Sequence, residues 1–394
     1  MFRTDPVAPP ADVPERLVQR LWLRQAFRHG GLRTLSGKPL RIRRPGRWNH
    51  HEGPDFRDSL LEIDGQPVRG DVELHLRRRD WSRHGHQADA NYGAVALHVV
   101  VFPPTVHEQR ALTHEGREPE TVVLLDWLER DLAALAAEEA LLESTQADPV
   151  ALAEPLAHLT PEALRRSLRA KALRRWRQKR RFAARRRFEH GFTEACHQLL
   201  LEGLGYSRNR EPMARLALEW PLRRWTVDPP PLPALLRRPD LHWKRAGVRP
   251  PNQPARRLEQ YQRLVDRRPD WPRQLQAWGR QLPGQPEHGQ GTRAFRQDTE
   301  FSAQRAALAS GVFANVLGGT RLDTLLADVC FPLLAEELKV DLFGNWFHAR
   351  AGDGPHALLR LERLLPLTAT AEWPRCNGWL QALLEHCIEG GVRA

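Results

Sequence analysis

Paired cysteines, long apolar runs and lysine are scarce in this sequence of 394 residues. The cysteines are scattered without a paired spacing, which argues against a disulfide scaffold and favours a reducing compartment. They are Cys196, Cys330, Cys376 and Cys387. The longest apolar run, residues 95–102, has only strand length, and residues 1–16 lack the apolar stretch of a secretory signal. We therefore expect a cytoplasmic protein with no membrane-spanning segment.

The charge of the chain is strongly one-sided. The formal net charge is +12 and the isoelectric point is near 10.4, and arginine supplies nearly all of the positive charge. Such a balance predicts a polyanionic partner, with nucleic acid as the first candidate. The sequence does not separate DNA from RNA, and a protein partner remains open.

The length suffices for two domains, each with its own core. We place them at 1–145 and 150–394, because residues 144–149 are the best candidate boundary. The first domain reads as helix, three strands, short helix and strand. The second reads as predominantly helical, so the predicted fold class is α+β.

Chemically unusual residues concentrate between positions 49 and 102. Residues 56–63 are predicted as a strand, Asp64-Gly65 as a turn and residues 72–76 as a second strand. Because side chains alternate along a strand, Asp71, Glu73 and His75 are expected on one face.

Asp55 stands at the start of the preceding strand and is expected beside that face. Carboxylates and an imidazole in one patch repel one another unless a cation holds them. The functional interpretation is a Mg²⁺ or Mn²⁺ site ligated by Asp55 and Glu73, with His75 as a further catalytic residue. The alternative is a solvated polar face.

The remaining elements of the first domain follow from periodicity and turn residues. A helix is predicted from positions 12–14 to about 27, ended by His29-Gly30-Gly31. Residues 40–43 alternate as a short strand, and residues 82–92 have helical potential. Residues 94–102 suit a central strand buried on both faces. A strand over 121–125 and an acidic helix over 126–143 complete the domain.

Several histidines and polar residues are candidates to line the same cleft. His84 and His86 with His98 offer a possible zinc set, although an imidazole in an apolar strand is more often a hydrogen-bonded core residue. His50 and His51 lie close to Asp55 in the chain. The candidate cleft residues are Glu15, Asn49, His51, Asp71, His84, His86 and His98.

An arginine-rich helix is predicted from Pro161 to about Glu189. Its charges repel across neighbouring turns, so bound anions or an acidic partner would stabilise it. The candidate nucleic-acid contacts are Arg174, Arg175, Arg177, Lys179, Arg180, Arg181, Arg185, Arg186 and Arg187. A solvated basic face and docking on the acidic helix over 126–143 are the alternatives.

The order of elements over about the first 105 residues resembles the PD-(D/E)xK nuclease superfamily. Pro54-Asp55 matches its catalytic aspartate, and Glu73-Leu74-His75 matches its Glu-x-Lys with histidine in place of lysine. Glu15 matches the acidic residue often found on the first helix. The resemblance implies a nuclease-like sheet and a metal-dependent phosphodiesterase. The lost lysine leaves open a non-catalytic DNA- or RNA-binding protein, possibly ribosome-associated, on a decayed nuclease fold.

A second resemblance covers nearly the whole chain. The sequence is similar to an uncharacterised bacterial family, domain of unknown function 2851. The residues that carry the similarity in the first domain are Trp22, Asn49, Gly53-Pro54-Asp55-Phe56, Gly70-Asp71-Val72-Glu73, His75, Asp80-Trp81, His84-Gly85-His86, Asp89, Tyr92 and Leu97-His98-Val99-Val100. In the second domain they are Trp243-Lys244, Arg249-Pro250, Asn252, Pro254 and Arg257.

Overall fold

The computed structural model describes residues 13–49, 51–105, 107–128, 132, 135–136, 149–282, 290–352, 356–365 and 372–391. Contacts divide the chain into two compact units, Met1–Ala136 and Ala137–Ala394. The first contains a mixed β-sheet and the second is built from helices. The predicted α+β class is confirmed. The predicted boundary at 145–150 stays a prediction, because residues 137–148 lie outside the described residues.

The sheet of the first unit is antiparallel at one side and parallel at the other. Its strands are β1 Leu40–Arg44, β2 Arg47–Trp48, β3 Phe56–Ile63, β4 Gln66–His75, β5 Val95–Val100 and β6 Glu120–Val123. The order is β1-β3-β4-β5-β6, and β2 also pairs with β3. β4 and β5 are parallel, as are β5 and β6. A parallel pair needs a crossover, and residues 76–94 supply it between β4 and β5.

A tight hairpin joins β3 to β4. Asp64 and Gly65 adopt φ values of +52° and +76°, the left-handed conformation that two-residue hairpin turns favour. The predicted turn is confirmed, as are the bounds of β3. β5 is buried at every position except Ala96, which is half-buried. This confirms the central strand predicted over residues 94–102.

Helix α1, Glu15–Arg24, covers the sheet with its apolar side. Leu17, Val18, Leu21 and Trp22 are buried in one core with the strands. The helix ends before the predicted stop at residues 29–31. Gln25 turns left-handed there, and its N–H donates to Trp22 O.

The crossover contains helix α2, Asp80–Arg83, followed by two short 3₁₀ turns. Continuous helix over 82–92 was the wrong expectation, because Gly85 has a φ of +78° and turns the chain after α2. β6 occupies the predicted strand over 121–125, shifted to residues 120–123. The acidic helix predicted over 126–143 lies mostly outside the described residues.

The second unit is helical throughout its described part. Two π-helical segments, Leu308–Val312 and Leu326–Cys330, interrupt its later helices. The helices are α3 Pro149–Ala157, α4 Pro161–Leu204, α5 Tyr206–Glu219, α6 Leu222–Val227, α7 Leu232–Arg237, α8 Pro254–Arg267, α9 Trp271–Arg280, α10 Thr292–Asp298, α11 Phe301–Ala307, α12 Gly319–Leu325, α13 Phe331–Leu338, α14 Phe343–His348, α15 His356–Leu364 and α16 Asn377–Gly391.

The arginine-rich segment lies on α4. Thr160 caps this helix by accepting a hydrogen bond from the Ala163 amide. Gly191, with φ +76°, interrupts the helical conformation close to the end predicted near residue 189. Leu164, Leu168 and Trp176 are buried in the core of the second unit. Across the part of the chain that the structure describes, no helix has both the length and the apolar character needed to cross a membrane.

Candidate metal centre and arginine-rich helix

Asp55 and Glu73 are neighbours across the β3–β4 ladder. Phe56 pairs with Val72 in an antiparallel register, so the residues one step further along each strand face each other. The Asp55 amide donates to Glu73 Oε2 at 2.9 Å. The strand alternation inferred from sequence therefore brings these two predicted ligands to the same place.

Two donors hold the Asp55 carboxylate. Gln19 Nε2, on α1, donates to Asp55 Oδ1 at 2.7 Å. The Leu74 amide donates to Asp55 Oδ2 at 3.1 Å. Each carboxylate oxygen retains accepting capacity beyond one hydrogen bond. The carboxylate is thus oriented and can still bind a cation.

His75 lies at the centre of a group of imidazoles. A hydrogen bond of 2.9 Å joins its Nδ1 to His98 Nε2, and its Nε2 lies 3.2 Å from His84 Nδ1. His75 Nε2 is also 3.5 Å from Glu73 Oε1. His86 Nε2 approaches the same oxygen at 3.2 Å. The Nε2 atom of His75 therefore faces a carboxylate oxygen and a second imidazole at once.

The chain returns His84 and His86 to His75 through a short turn. The His84 amide donates to Asp80 O at the end of α2, and Gly85 then reverses the backbone. One ligand-capable atom each from His75, His84 and His86 lies within 4.8 Å of the other two. Sequence spacing predicted that His84 and His86 were close, but not that both face His75.

Aromatic rings hold this turn in place. Trp81 is buried, and its Nε1 donates to Leu112 O at 2.9 Å. The Tyr92 ring stacks on His86 with centroids 3.8 Å apart. Trp81 also contacts the rings of His86 and His98 edge-on or tilted. The imidazoles are consequently restricted in rotation by packing.

Burial dominates the electrostatics of the carboxylates. It raises the pKa of Asp55 to about 8, and the neighbouring Glu73 charge adds to that rise. Burial likewise raises the pKa of Glu73 to about 8. Glu15 is half-buried, and burial followed by repulsion from Asp55 and Glu73 raises its pKa to about 8. These three acids therefore retain their protons near neutral pH. If they ionised together, several negative charges would lie close to one another without a cation to offset them.

The pKa values of the imidazoles shift in the opposite direction. Burial lowers the pKa of His86 to about 4 and that of His98 to about 3. Burial, with repulsion from the other histidines, lowers the pKa of His75 well below its ordinary value. These rings are therefore neutral at pH 7 and have lone pairs available for a ligand.

The other candidate cleft residues have different positions. Glu15 Oε1 lies 3.9 Å from His75 Nε2, so α1 brings it to the cluster. Asn49 organises the loop before β3, where its Nδ2 donates to Glu52 O and Pro54 O. His51 is exposed, and its amide donates to Asn49 Oδ1. His50 lies outside the described residues.

Asp71 was expected beside Glu73 and His75, and the structure shows its carboxylate bonded to β3. The β3–β4 register shifts between Phe56 and Ser59, and the β4–β5 register shifts between Asp71 and Val72. The extra residues of these bulges lie on β3 and β5, so β4 itself keeps its alternation. Asp71 lies opposite the β3 bulge, and its Oδ1 accepts from the Asp58 amide at 3.0 Å.

Two polar residues at the cluster were missed by sequence reasoning. Gln19 follows Glu15 by four positions on α1, and this spacing places both on one side of a helix. That signal was available. Arg83 was also missed, although its Nη2 lies 3.4 Å from His84 Nε2 at the exposed end of the cluster.

Most of the predicted nucleic-acid-binding arginines of α4 contact carboxylates of the second unit. Arg174 and Lys171 bind Glu389, Lys179 binds Asp328, Arg180 binds Glu336 and Arg187 binds Glu337. Arg175 lies 4.0 Å from Glu385, and Arg186 lies 3.7 Å from Glu202. Arg185 pairs with Glu189 along the helix. The charge that sequence reasoning assigned to phosphate is largely used inside this unit. The alternative of docking on residues 126–143 stays a prediction, because most of that segment lies outside the described residues.

One side of α4, which includes the paired Arg180, lines an open groove of about 810 Å³. Arg166 and Arg177 are exposed on this side, and in the described part of the chain no carboxylate pairs with either. The floor of the groove is apolar. The residues along the groove are Arg166, Arg169, Ala170, Leu173, Trp176, Arg177, Arg180, Lys339, Val340, Asp341 and Phe343.

Comparison with known proteins identifies one family. The model of the family described as "Protein of unknown function (DUF2851)" matches residues 15–228. This range contains the whole candidate metal centre and the arginine-rich helix. Neither the curated proteins nor the solved structures contain a match to the chain.

Proposed function

This chain belongs to the DUF2851 family, and from that premise we propose that it is a metal-dependent phosphodiesterase acting on nucleic acid. The observation that carries the proposal is the convergence of Asp55, Glu73 and His75 at adjacent strand ends. The mixed sheet also supports it, because the nuclease resemblance implied a sheet of this kind.

The residues fit a divalent cation. Glu73 is buried and Asp55 is half-buried. Their ionised forms repel each other, and a cation between them would offset that repulsion. The nearby His75 nitrogen favours Mn²⁺ over Mg²⁺. When bound, such a cation lowers the pKa of a water molecule and offsets the negative charge of a phosphodiester.

The chain's own residues have separable roles in this proposal. Gln19 and the Leu74 amide hold the Asp55 carboxylate in one orientation. Glu15 lies at the half-buried edge of the cluster. With a cation offsetting the charge of Asp55 and Glu73, its ionised carboxylate could accept a proton from water. Arg83 presents a guanidinium beside His84, where it can contact a phosphate oxygen.

The open side of α4 is the proposed nucleic-acid contact of the second unit. Arg166 and Arg177 offer donors to phosphate, whereas the apolar floor has few groups that read bases. Binding there would therefore depend on the phosphate backbone of the nucleic acid rather than on its base sequence.

The four cysteines are all unpaired, which supports the cytoplasm as the proposed location.

One observation favours the second candidate, a DNA- or RNA-binding protein without catalysis. The superfamily resemblance places a lysine where this chain has His75, and burial lowers the pKa of His75. A neutral imidazole cannot supply the positive charge of that lysine. Arg83 is the residue that we propose as its replacement at the exposed end of the cluster.

Cleavage assays with metal-stripped protein test the proposal. With Mn²⁺ or Mg²⁺ restored, the wild type should cut single-stranded DNA, duplex DNA or RNA, and Asp55→Asn or Glu73→Gln should slow cutting by at least about a hundredfold. His75→Lys asks whether histidine merely replaces lysine, in which case activity is retained or rises.

Asp71→Asn is the matched control, because Asp71 lies on the same strand but bonds to Asp58. It should cut like the wild type. Cutting that persists in Glu73→Gln would assign the activity to another site or a contaminant. Binding of nucleic acid without cutting under any of these conditions would favour the second candidate.

A further inference from the structure

We propose that His75, His84, His86 and Glu73 bind one transition-metal ion of the zinc class in tetrahedral coordination. This ion is separate from the Mg²⁺ or Mn²⁺ proposed between Asp55 and Glu73, and it takes the Nε2 lone pair of His75. The proposal does not rest on phosphodiester cleavage, because the ligand set is complete without a substrate.

Distances between the ligand atoms support this geometry. Zinc bonds of about 2.0–2.1 Å in a tetrahedron place neighbouring ligand atoms about 3.4 Å apart. Glu73 Oε1 lies 3.5 Å from His75 Nε2 and 3.2 Å from His86 Nε2. His75 Nε2 lies 3.2 Å from His84 Nδ1. Three of the six edges therefore already have nearly the required length. Among the described residues only the three imidazoles lie within 4.8 Å of one another, so Glu73 would have to approach His84 to complete the set.

Hydrogen bonding within the cluster leaves two buried nitrogens unsatisfied among the described residues, His86 Nε2 and His98 Nδ1. His86 is 8% exposed. Its Nε2 lies 3.2 Å from Glu73 Oε1 without forming a hydrogen bond. A buried imidazole nitrogen without a hydrogen bond is costly. A metal ion between His86 and Glu73 would remove that cost.

The residues behind the cluster match those that usually support a metal-binding histidine. A ligating imidazole commonly donates its second N–H to another group, which sets the tautomer and the ring orientation. His98 Nε2 lies 2.9 Å from His75 Nδ1 and can accept that proton. The Nε2 lone pair of His75 then faces His84 and Glu73. Stacking of Tyr92 on His86 orients a second ligand.

The donor set selects the class of metal. Three imidazoles and one carboxylate suit zinc and its neighbours, whereas Mg²⁺ requires octahedral oxygen coordination with several waters. Glu73 can serve both this ion and its bond to Asp55, because Oε1 faces the imidazoles and Oε2 accepts from the Asp55 amide.

Metal-binding measurements on the full chain test the inference. Protein stripped with a chelator should take up one Zn²⁺ per chain by isothermal titration and elemental analysis, and excess Mg²⁺ should not displace it. Co²⁺ should give the visible spectrum of a tetrahedral site. Loss of a residue that only supports a ligand costs about 10–100-fold in metal affinity, so loss of a ligand in His84→Ala should cost at least about tenfold.

Matched variants separate this site from adventitious zinc. His84 is exposed, so its removal should leave the fold intact, and His86→Ala provides a second test. His51→Ala removes another exposed histidine of the same unit and should leave affinity unchanged. Zinc held at the cysteines would survive in all three variants, and that result would overturn the inference.

The inference and the proposed function can fail separately. Zinc binding lost in His84→Ala, in a protein that cuts no nucleic acid, would retain the metal site and reject the phosphodiesterase. Cleavage with Mg²⁺ by a protein that binds no zinc would retain the phosphodiesterase and reject the zinc site. A Co²⁺ spectrum of octahedral type would reject tetrahedral coordination even with affinity retained.

Discussion

His75 is the residue around which the site is arranged. It is 1% exposed, and both of its ring nitrogens lie within 3.2 Å of another imidazole. Its position followed from sequence, because strand alternation predicted that it shares a face with Glu73. Sequence reasoning placed His84, His86 and His98 in the same cleft, but alternation could not predict their contacts with His75, since they come from the crossover and from β5. Their convergence depends on packing, which sequence periodicity does not encode.

At Asp71, sequence reasoning included a carboxylate that bonds to Asp58. The cause lies in the local strand pairing. Alternation applied to Asp71 as well as to Glu73, but the neighbouring strands β3 and β5 are bulged beside it. The β3 bulge brings the Asp58 amide to Asp71 Oδ1, and a bulge leaves no clear mark in the sequence because several residue types tolerate it. Sequence reasoning therefore found the carboxylates of the site and added one that is bonded elsewhere.

The carboxyl groups give the metal-free protein a distinctive pH dependence. The folded-state pKa values of Asp55 and Glu73, near 8, exceed their values in the unfolded chain. The folded state thus holds extra protons, and stability should fall as the pH rises from 6.5 to 8. The slope is up to about 1.4 kcal/mol per pH unit for each group that stays protonated. Below pH 6.5 the histidines, whose pKa values are lowered, reduce stability as the pH falls.

Thermal unfolding in chelator between pH 6.5 and 8 measures this effect. Glu73→Gln removes one of the groups and the repulsion that it exerts on Asp55, so its melting temperature should depend less on pH. Asp71→Asn should follow the wild type. With Mn²⁺ or Zn²⁺ added, the melting temperature should instead rise with pH over this range, because ligands bind metal in their deprotonated form. A metal-free protein with constant stability over this range would contradict the assigned pKa directions.

At the scale of elements, the turn after α2 determines the arrangement of the imidazoles. The predicted helix over 82–92 would have separated His84 and His86 by about 200° around its axis. The left-handed conformation at Gly85 replaces that helix with a reversal, and both histidines then meet His75. Glycine after a short helix is a known stop signal, so this turn could have been predicted from the sequence.

Alanine substitutions at two glycines isolate the contribution of this turn. Gly85 and Gly65 have φ values of +78° and +76°, and an added Cβ meets nothing within 4 Å at either position. Each substitution should cost about 1–2 kcal/mol of backbone strain. Gly65 lies at the other end of β4 from His75, so only Gly85→Ala should also weaken zinc binding.

Chemical denaturation and zinc titration of both variants provide the measurements. Equal losses of stability with a loss of zinc affinity only in Gly85→Ala are expected. If both variants bound zinc like the wild type, the geometry of the turn would have no part in the site.

For the whole molecule, the net charge of +12 proved less informative than its distribution. Sequence reasoning treated the arginines of α4 as one phosphate-binding surface. The structure instead pairs many of them with Asp328, Glu336, Glu337, Glu385 and Glu389, which are far away in the sequence. Ion pairs across such distances cannot be inferred from local composition. The fold class was predictable because it depends on local periodicity, whereas the use of each charge depends on tertiary contacts.

The salt dependence of nucleic-acid binding distinguishes the two sets of arginines. Each phosphate contact contributes about 0.9 to the slope of log affinity against log salt on duplex DNA and about 0.7 on single strands. Arg166→Ala with Arg177→Ala should therefore reduce the slope by about 1.8 on duplex or about 1.4 on single strands. Arg174→Ala with Arg187→Ala removes equal charge from paired positions and should leave the slope unchanged.

Binding titrations over 50–200 mM salt, with several unrelated sequences, measure both slopes. Sequence preference should change little in either variant, because phosphate contacts carry no base information. Equal effects in the two variants would mean that net charge alone governs binding. A reduced slope only in the variant of Arg174 and Arg187 would move the contact to the paired positions of α4, with nucleic acid displacing Glu389 and Glu337 from those arginines.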